Sequence, residues 1–275
     1  YVKPVVPIEP KSEFSTAITG DKAVDTEYVH AGVLDDSNIY NFTEDKTTID
    51  VETGYSIPGG PWMSKITALV SGKDDSHSVD VNMNGHDLTL RSSNSTVGIA
   101  AIGKGKVEVN NAGAIDIDVD TSGRAALYAN GGGTIVVHNG GDNLENKVLK
   151  VRAEGSTPLN TAVIKTMNGV NNVHSSITID GLVDVVADGE TANEAVSAVA
   201  SNIEIGGGHI EAKNGAWAAI RAYGEFVSQN YGIVNVNVAK DQNGNIIGSG
   251  ENKTTIIGDI VTNGGMGTKG KISVG

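Results

Sequence analysis

Within residues 97–120, two short segments show strict alternation of apolar and polar residues. Residues 106–110 read Lys-Val-Glu-Val-Asn, residues 114–119 read Ala-Ile-Asp-Ile-Asp-Val, and a third apolar segment lies at 98–102. Strict alternation is the period of a β-strand with one buried face. The intervening Gly-Lys-Gly and Asn-Ala-Gly are typical turn residues. The region therefore predicts three short strands joined by tight turns, which is one coil of a β-solenoid.

The same three segments recur along the chain. The second returns at 134–138, 176–180 and 202–205, the third at 148–152, 182–186 and 209–212, and the first at 125–129, 161–164, 195–199 and 216–220. Their spacing of roughly 20 to 40 residues is that of solenoid repeats. We therefore predict an all-β fold, a right-handed parallel β-helix (β-solenoid). Its core residues should stack in two columns: Val109, Val137, Ile179 and Ile205 in one, and Ile117, Val151 and Val185 in the other.

The two ends of the chain differ from its centre. Residues 1–46 lack the repeat and open on an extended segment interrupted by prolines. A β-helix leaves apolar core and sheet edges open at its ends, so terminal repeats need capping. We assign 1–46 to an N-terminal leader or cap and 47–275 to the β-helix, with a two-stranded finger at 241–245. Because 267–274 repeat the pattern of 103–109, we expect the β-helix to be truncated at its C-terminal end.

Composition and charge exclude several classes of partner and of chemistry. The formal net charge of −13 argues against nucleic acid and anionic membrane surfaces as partners. The absence of cysteine excludes thiol catalysis, thiolate metal sites and disulfide bonds. The nonapeptide motif of calcium-binding β-rolls is absent, and we predict neither a cofactor nor a metal. The alternative is calcium bound by the carboxylates of Asp118 and Asp120. The 36 glycines suit a chain with many tight turns.

Five residues are candidates for ligand binding: Tyr55, Trp62, Trp217, Arg221 and Tyr223. The last three form an aromatic and basic set that could stack on a sugar. Since large apolar side chains are more often buried, we favour the interpretation that Trp217 fills a core position among small alanines. Tyr55 and Trp62 flank a stiff loop with two prolines, and this loop is either an interface anchor or part of the cap.

Charged residues on the outward face predict a ladder between coils. Aligning the strand cores predicts a stack over successive coils in the order Asp116, Lys150, Asp184 and Glu211, and it places Asp118 beside Arg152. Alternating charges on adjacent strands are favourable, and exposed pairs of this kind are common structural features. We therefore interpret the ladder as structural rather than catalytic.

Two further arrangements of charged residues could be catalytic sites, and neither is specific enough to predict one. Asp184 and Glu211 could meet the separation of about 5 to 10 Å that a glycoside hydrolase needs, as could many pairs in an acidic solenoid. His138 should stack between Asn110 and Asp180, but the repeat places no serine nucleophile beside it. We therefore predict no catalytic residue and no enzyme activity.

The repeats also resemble a known family. Gly-x-Ile-x-Val-x-Asn-x-Gly units, alanine-rich Ala-Ile-x-Ala strands and the Gly-Gly-Gly-Thr-Ile-Val-Val junction at 131–137 resemble passenger domains of Gram-negative autotransporters, over about residues 47–275. These are type V secreted proteins of the outer membrane, and many are adhesins. The absence of cysteine fits a chain that crosses the outer membrane unfolded.

The resemblance implies a cell-surface or secreted adhesin that acts in cell adhesion, biofilm formation or virulence. Its partner would be a protein or glycan on a host cell or a neighbouring bacterium, bound by multipoint contact along the lateral face and loops. Membrane attachment is expected only through a translocator barrel that this sequence does not contain. The alternative is a carbohydrate-active β-helix enzyme, either a polysaccharide lyase or a glycoside hydrolase.

Overall fold

The computed structural model describes residues 20–24, 28–30, 34–35, 38–51, 55–57, 66–72, 78–92, 96–121, 125–154, 161–167, 173–224, 231–262 and 270–275. Its strands are β1 (Gly20–Val24), β2 (Tyr28–His30), β3 (Leu34–Asp35), β4 (Asn38–Phe42), β5 (Lys46–Val51), β6 (Tyr55–Ile57), β7 (Ile66–Gly72), β8 (Ser78–Asn82), β9 (Asp87–Ser92), β10 (Thr96–Ile102), β11 (Lys106–Asn110), β12 (Ile115–Asp120), β13 (Leu127–Asn130), β14 (Thr134–Val137), β15 (Leu149–Glu154), β16 (Ala162–Met167), β17 (Ser176–Asp188), β18 (Glu194–Val199), β19 (Asn202–Lys213), β20 (Ala218–Tyr223), β21 (Ile233–Val236), β22 (Val238–Lys240), β23 (Ile246–Ser249), β24 (Thr254–Ile257), β25 (Ile260–Val261) and β26 (Lys271–Val274). A 3-10 helix, Leu144–Asn146, lies between β14 and β15.

Two large sheets of stacked strands make up the fold. In the first, which has 15 strands, the order is β1-β4-β8-β11-β14-β17-β15-β12-β9-β5-β2, and β19, β21, β24 and β26 extend it. In the second the order is β25-β20-β18-β16-β13-β10-β7-β3, with β6 beside β7. Among the described strands, pairing is parallel everywhere except β6 with β7 and β22 with β23. The all-β class and the parallel, solenoid-like stacking are confirmed.

Both predicted columns of core residues are present. Val109 pairs with Val137, Val137 with Ile179, and Ile179 with Ile205. The second column is Ile117, Val151 and Val185. All seven side chains are buried. Strand alternation fixes which residues face inward, so each coil presents the same positions to the core and the columns follow from the pattern.

Parallel stacking also reaches into the segment assigned to the cap. Strand β1 pairs with β4, β4 pairs with β8, and β2 pairs with β5. Tyr40 and Phe42, both on β4, are buried in the common core. The sequence pattern did not predict these stacked strands, because the segment shows little regular alternation. A capping role for residues 1–46 stays a prediction.

The chain makes a long excursion between β14 and β15. At its base the buried Asn139 joins two coils: its Nδ2 donates to Lys147 O and Leu182 O, both at 3.0 Å, and its Oδ1 accepts from Gly181 N at 2.9 Å. Residues 141–143 beyond it are exposed. One side chain therefore satisfies the backbone groups that the corner would otherwise leave unpaired.

The predicted two-stranded finger is confirmed. Strands β22 and β23 pair antiparallel, and the turn between them contains Asp241. Asp241 Oδ1 accepts from Asn243 N and Asn245 N, both at 2.8 Å, and Oδ2 accepts from Asn245 Nδ2 at 3.0 Å. The hydrogen bond from the Asn245 side chain, with help from the backbone donors, lowers the pKa of Asp241 below its ordinary value. Local hydrogen bonds of this kind are what make Asp a turn residue.

Candidate functional site

The second sheet carries the clearest candidate site, on its outward face at β20. Ile220 and Ala222 on this strand are fully buried, so the alternating Arg221 and Tyr223 point outward. Trp217 immediately precedes the strand, and its backbone N donates to Asn193 O at 2.7 Å. The strand and the preceding corner thus place all three side chains on one surface.

Arg221 lies between the two aromatic rings. Its Cζ is 4.1 Å from the centroid of the Trp217 ring and 4.0 Å from that of Tyr223. Both distances are within the range of cation–π attraction. We call Trp217, Arg221 and Tyr223 the aromatic–arginine cluster. Three of the five predicted binding residues are therefore brought together.

Trp217 does not fill the core, so the interpretation favoured from the sequence is wrong. The residue is 42% exposed. The physical reason is the start of the strand: β20 begins at Ala218, so Trp217 lies at the corner outside the alternation. The core beneath is filled instead by Ala219, Ile220 and Ala222, which are fully buried.

A buried carboxylate holds the arginine in place. Glu194 Oε1 is 2.6 Å from Arg221 Nη1, and the two side chains are only 7% and 19% exposed. Sequence reasoning missed this residue, although Glu194 is the one charged residue of the alanine- and valine-rich β18, and a lone acid in a buried strand signals a partner. Arg221 Nε and Ser197 Oγ are buried without a hydrogen-bond partner among the described residues.

The remaining two candidates do not join this cluster. Tyr55 begins β6, which pairs antiparallel with β7 at the other end of the second sheet, and β10, β13, β16 and β18 lie between β7 and β20. At about 4.8 Å per strand, roughly 24 Å separates β7 from β20. Trp62 lies outside the described residues. Binding by the loop at 55–62 stays a prediction.

A histidine on the first sheet bridges three coils. His138 Nδ1 is 2.8 Å from Asp180 Oδ2, as predicted, and Nε2 is 3.2 Å from Glu108 Oε1. The second contact is made to this carboxylate on β11 rather than to Asn110, because a charged acceptor binds imidazole more strongly than an amide does. Asp180 Oδ1 also accepts from Asn139 N at 2.8 Å and Gly140 N at 2.6 Å.

These contacts shift two pKa values in opposite directions. The hydrogen bond to Asp180, and then the one to Glu108, raise the pKa of His138 above its ordinary value against the effect of burial. The hydrogen bond from Lys106, followed by that from His138, lowers the pKa of Glu108. Both shifts favour the arrangement in which a protonated imidazole lies between two charged carboxylates.

The stability that His138 contributes should depend on pH. Because its folded pKa is raised, the contribution is complete below the ordinary imidazole pKa of about 6.5 and is lost as pH rises through the folded value. Glu108 keeps its charge throughout this range, since its pKa is lowered. We expect His138→Gln to lower the melting temperature clearly at about pH 5.5 and much less at about pH 8.5.

The matched control is His174→Gln, which changes an exposed histidine. Its effect on the melting temperature should be small and equal at both pH values. An equal effect of His138→Gln at the two pH values would contradict the charged bridge.

The charge ladder is confirmed in part. Asp116 lies beside Lys150, Lys150 beside Asp184, and Asp118 beside Arg152. Glu211 does not continue the ladder, however: Asp184 lies beside His209, and Glu211 lies beside Val186.

The glycine run at 206–208 explains the shifted register. The sequence pattern predicted a strand that begins at His209. In the structure the strand already includes Gly207 and Gly208, which pair with Leu182 and Val183. Asp184 instead meets Arg152, with 3.0 Å from its Oδ2 to Nη2. The predicted carboxylate pair Asp184 and Glu211 is therefore not formed by neighbouring register positions.

A shallow depression of about 240 Å³ lies on the outward face of the first sheet. Its charged lining residues are Lys46, Asp87, Asp116, Glu145 and Lys150. Asp87 Oδ1 accepts a hydrogen bond from Ala114 N at 2.8 Å, so this carboxylate also fixes a turn. The depression brings acids and bases together on a face that is otherwise formed by regular strands.

Comparison with known proteins identifies no relative of this chain. No family model matches the chain, and neither the curated proteins nor the solved structures contain a match to it. Over the part of the chain that the structure describes, no helix has the length and apolar character needed to cross a membrane.

Proposed function

We propose that the chain is the right-handed parallel β-helix passenger of a Gram-negative type V autotransporter, exposed at the cell surface as an adhesin. The observation that carries the proposal is the aromatic–arginine cluster on the outward face of stacked parallel strands. The sequence repeats that resemble autotransporter passengers, the parallel stacking and the absence of cysteine support it.

The proposed mechanism is binding without chemistry. Aromatic and arginine side chains are enriched at the anchoring points of interfaces. Arg221 and Tyr223 lie on a regular strand, which holds side chains more rigidly than a loop does. Trp217 is already fixed by Arg221 before a ligand arrives, so little side-chain entropy is lost on binding. The partner is a protein or glycan on a host cell or another bacterium, and contacts at several coils add to the total affinity.

The test is attachment of bacteria that display the chain. Residues 1–275 are fused to a type V translocator domain in a non-adherent Gram-negative strain, and surface exposure is checked by protease accessibility. We expect the displayed chain to raise attachment to epithelial cells or to sister cells above that of the translocator alone. Trp217→Ala should reduce the gain, because it removes the exposed ring without opening the core.

Tyr231→Ala is the control variant, since Tyr231 is 47% exposed and also lies over a cation, Lys271, at 5.0 Å. Trp62→Ala tests the loop at 55–62 in the same assay. All variants need equal surface levels and unchanged melting temperatures. Attachment no greater than that of the translocator alone would contradict the adhesin proposal.

The depression around Asp116 keeps the alternative of a carbohydrate-active enzyme open to test. Asp87, Asp116 and Glu145 line it together, and paired carboxylates about 5 to 10 Å apart are what glycoside hydrolysis requires. Under the adhesin proposal the purified chain depolymerises no member of a polysaccharide panel. Depolymerisation that is lost in Asp116→Asn and kept in Asp118→Asn, the next outward position on β12, would establish the enzyme instead.

A further inference from the structure

The exposed surface of Trp217 has the form of a stacking platform. Arg221 covers one face of the indole, at 4.1 Å from its centroid. The residue is nevertheless 42% exposed, so a large part of its surface is open to solvent. A flat aromatic surface of this kind binds flat or ring-shaped apolar surfaces by stacking.

Backbone contacts hold the platform in a fixed orientation. Trp217 N donates to Asn193 O at 2.7 Å, and the preceding turn is closed by Ala216 N donating to Lys213 O at 3.0 Å. Asn214 and Gly215 in this turn have positive φ values of 53° and 84°, which asparagine and glycine adopt readily. A pre-organised ring costs little conformational entropy when a ligand binds.

The charges around the platform favour a neutral ligand. Among the described residues, Arg221 is the only cation in contact with the indole. Its charge is already compensated by Glu194, at 2.6 Å. The guanidinium also contacts the Trp217 and Tyr223 rings, so an anionic ligand would have to compete with the carboxylate at a group that is already in contact with two rings. The chain as a whole carries a formal charge of −13, which repels anions.

Polar groups lie at the adjoining corner. Asn214 Nδ2 donates to Asp188 Oδ2 at 2.9 Å, and Lys213 Nζ is 3.9 Å from the same oxygen. Asn214 and Lys213 are exposed. Binding sites that combine an aromatic surface with a few exposed donors and acceptors suit ligands with an apolar face and a polar rim. A pyranose ring, with C–H bonds on its face and hydroxyls at its edge, has this form.

We propose that Trp217 is the platform of a glycan site that binds neutral pyranose sugars, stacked on the indole face opposite Arg221. Arg221 acts as a positioning residue, and the corner at 213–215 supplies hydrogen bonds to sugar hydroxyls. The inference rests on the proposed function, because it names the chemical class of the adhesin's ligand. An apolar protein surface fits less well, since it would bury the exposed Lys213 and Asn214 away from water.

The experiment uses the whole chain, 1–275, with Trp62→Phe, so that Trp217 is the only tryptophan of the two in the sequence. The probes are a printed array of neutral oligosaccharides of glucose, galactose, mannose and N-acetylglucosamine, with matched sialylated and uronate members. Bound array members are then titrated in solution while Trp217 fluorescence is followed. We expect saturable binding of at least one neutral member with a change in emission. Trp217→Ala leaves no tryptophan, so its binding is titrated by calorimetry. The substitution should weaken binding of the neutral member about tenfold or more, as loss of a central aromatic anchor does.

Tyr231→Ala, made in the same background, should leave the affinity for the neutral sugar unchanged. The inference is overturned if no neutral member binds, if only acidic members bind, or if Trp217→Ala leaves neutral binding intact. Failure here is distinguishable from failure of the adhesin proposal. Attachment of displaying cells without sugar binding refutes the glycan site alone, whereas sugar binding without attachment refutes the adhesin alone.

Discussion

Replacing Arg221 with alanine is expected to lower the free energy of unfolding by about 3 to 5 kcal/mol, because it leaves a buried charge without a partner. The orphaned group is the Glu194 carboxylate, whose side chain is 7% exposed. The substitution also removes the contacts of the guanidinium with the Trp217 and Tyr223 rings. The measurement is the denaturation midpoint in urea, followed by circular dichroism.

A second substitution separates the charge from the packing. In Arg221→Ala combined with Glu194→Gln the buried group is neutral, so most of the loss should be recovered. Arg221→Lys keeps the charge but loses the planar face, and its effect should be intermediate. A single variant as stable as the original chain, or a double variant no better than the single one, would show that Glu194 does not depend on Arg221.

Asn139→Ala is expected to destabilise the chain by about 3 kcal/mol or more, since each buried polar group left unpaired costs about 1 to 3 kcal/mol. The change removes the partners of three backbone groups, namely Lys147 O, Leu182 O and Gly181 N. Two of these belong to the next coil, so the loss should also loosen the stacking of β14 on β17. Hydrogen exchange of the Gly181 amide reports this directly.

Asn146→Ala is the matched control, because Asn146 is an exposed asparagine of the same excursion. It should leave the free energy of unfolding within about 0.5 kcal/mol of the original, as most surface changes do. Equal midpoints for the two alanine variants, or unchanged protection of Gly181, would mean that Asn139 does not hold the corner.

The sequence is sufficient to predict the stacked columns, and the reason is physical. A strand has a period of two, so Val109 and Ile117 can face inward only if their polar neighbours face outward. Equivalent alternation in later segments then places Val137 and Val151 above them, as observed. No knowledge of long-range contacts is needed to predict these columns, because each coil repeats the alternation of the coil before it.

The candidate site could be predicted only in part, because its geometry depends on where elements start and which segments meet. Trp217 lies outside the strand because β20 starts at Ala218, two residues after the predicted start at 216, and no alternation rule fixes that boundary. Glu194 and Arg221 come together because β18 and β20 are adjacent, with Ser197 beside Arg221. The predicted position of Glu211 beside Asp184 is wrong for a similar reason: Gly207 and Gly208 pair as strand residues, which shifts the register.

The excursion between β14 and β15, which Asn139 holds at its base, also makes this chain a scaffold for grafted peptides. Asn139 bonds to Lys147 O at the far side of the excursion, so both ends are fixed whatever lies between them. Residues 141–143 are exposed, and doubling the length of a flexible loop costs only about 0.6 kcal/mol. A foreign epitope inserted after Gly141 would be presented away from the core, with the columns beneath it unchanged.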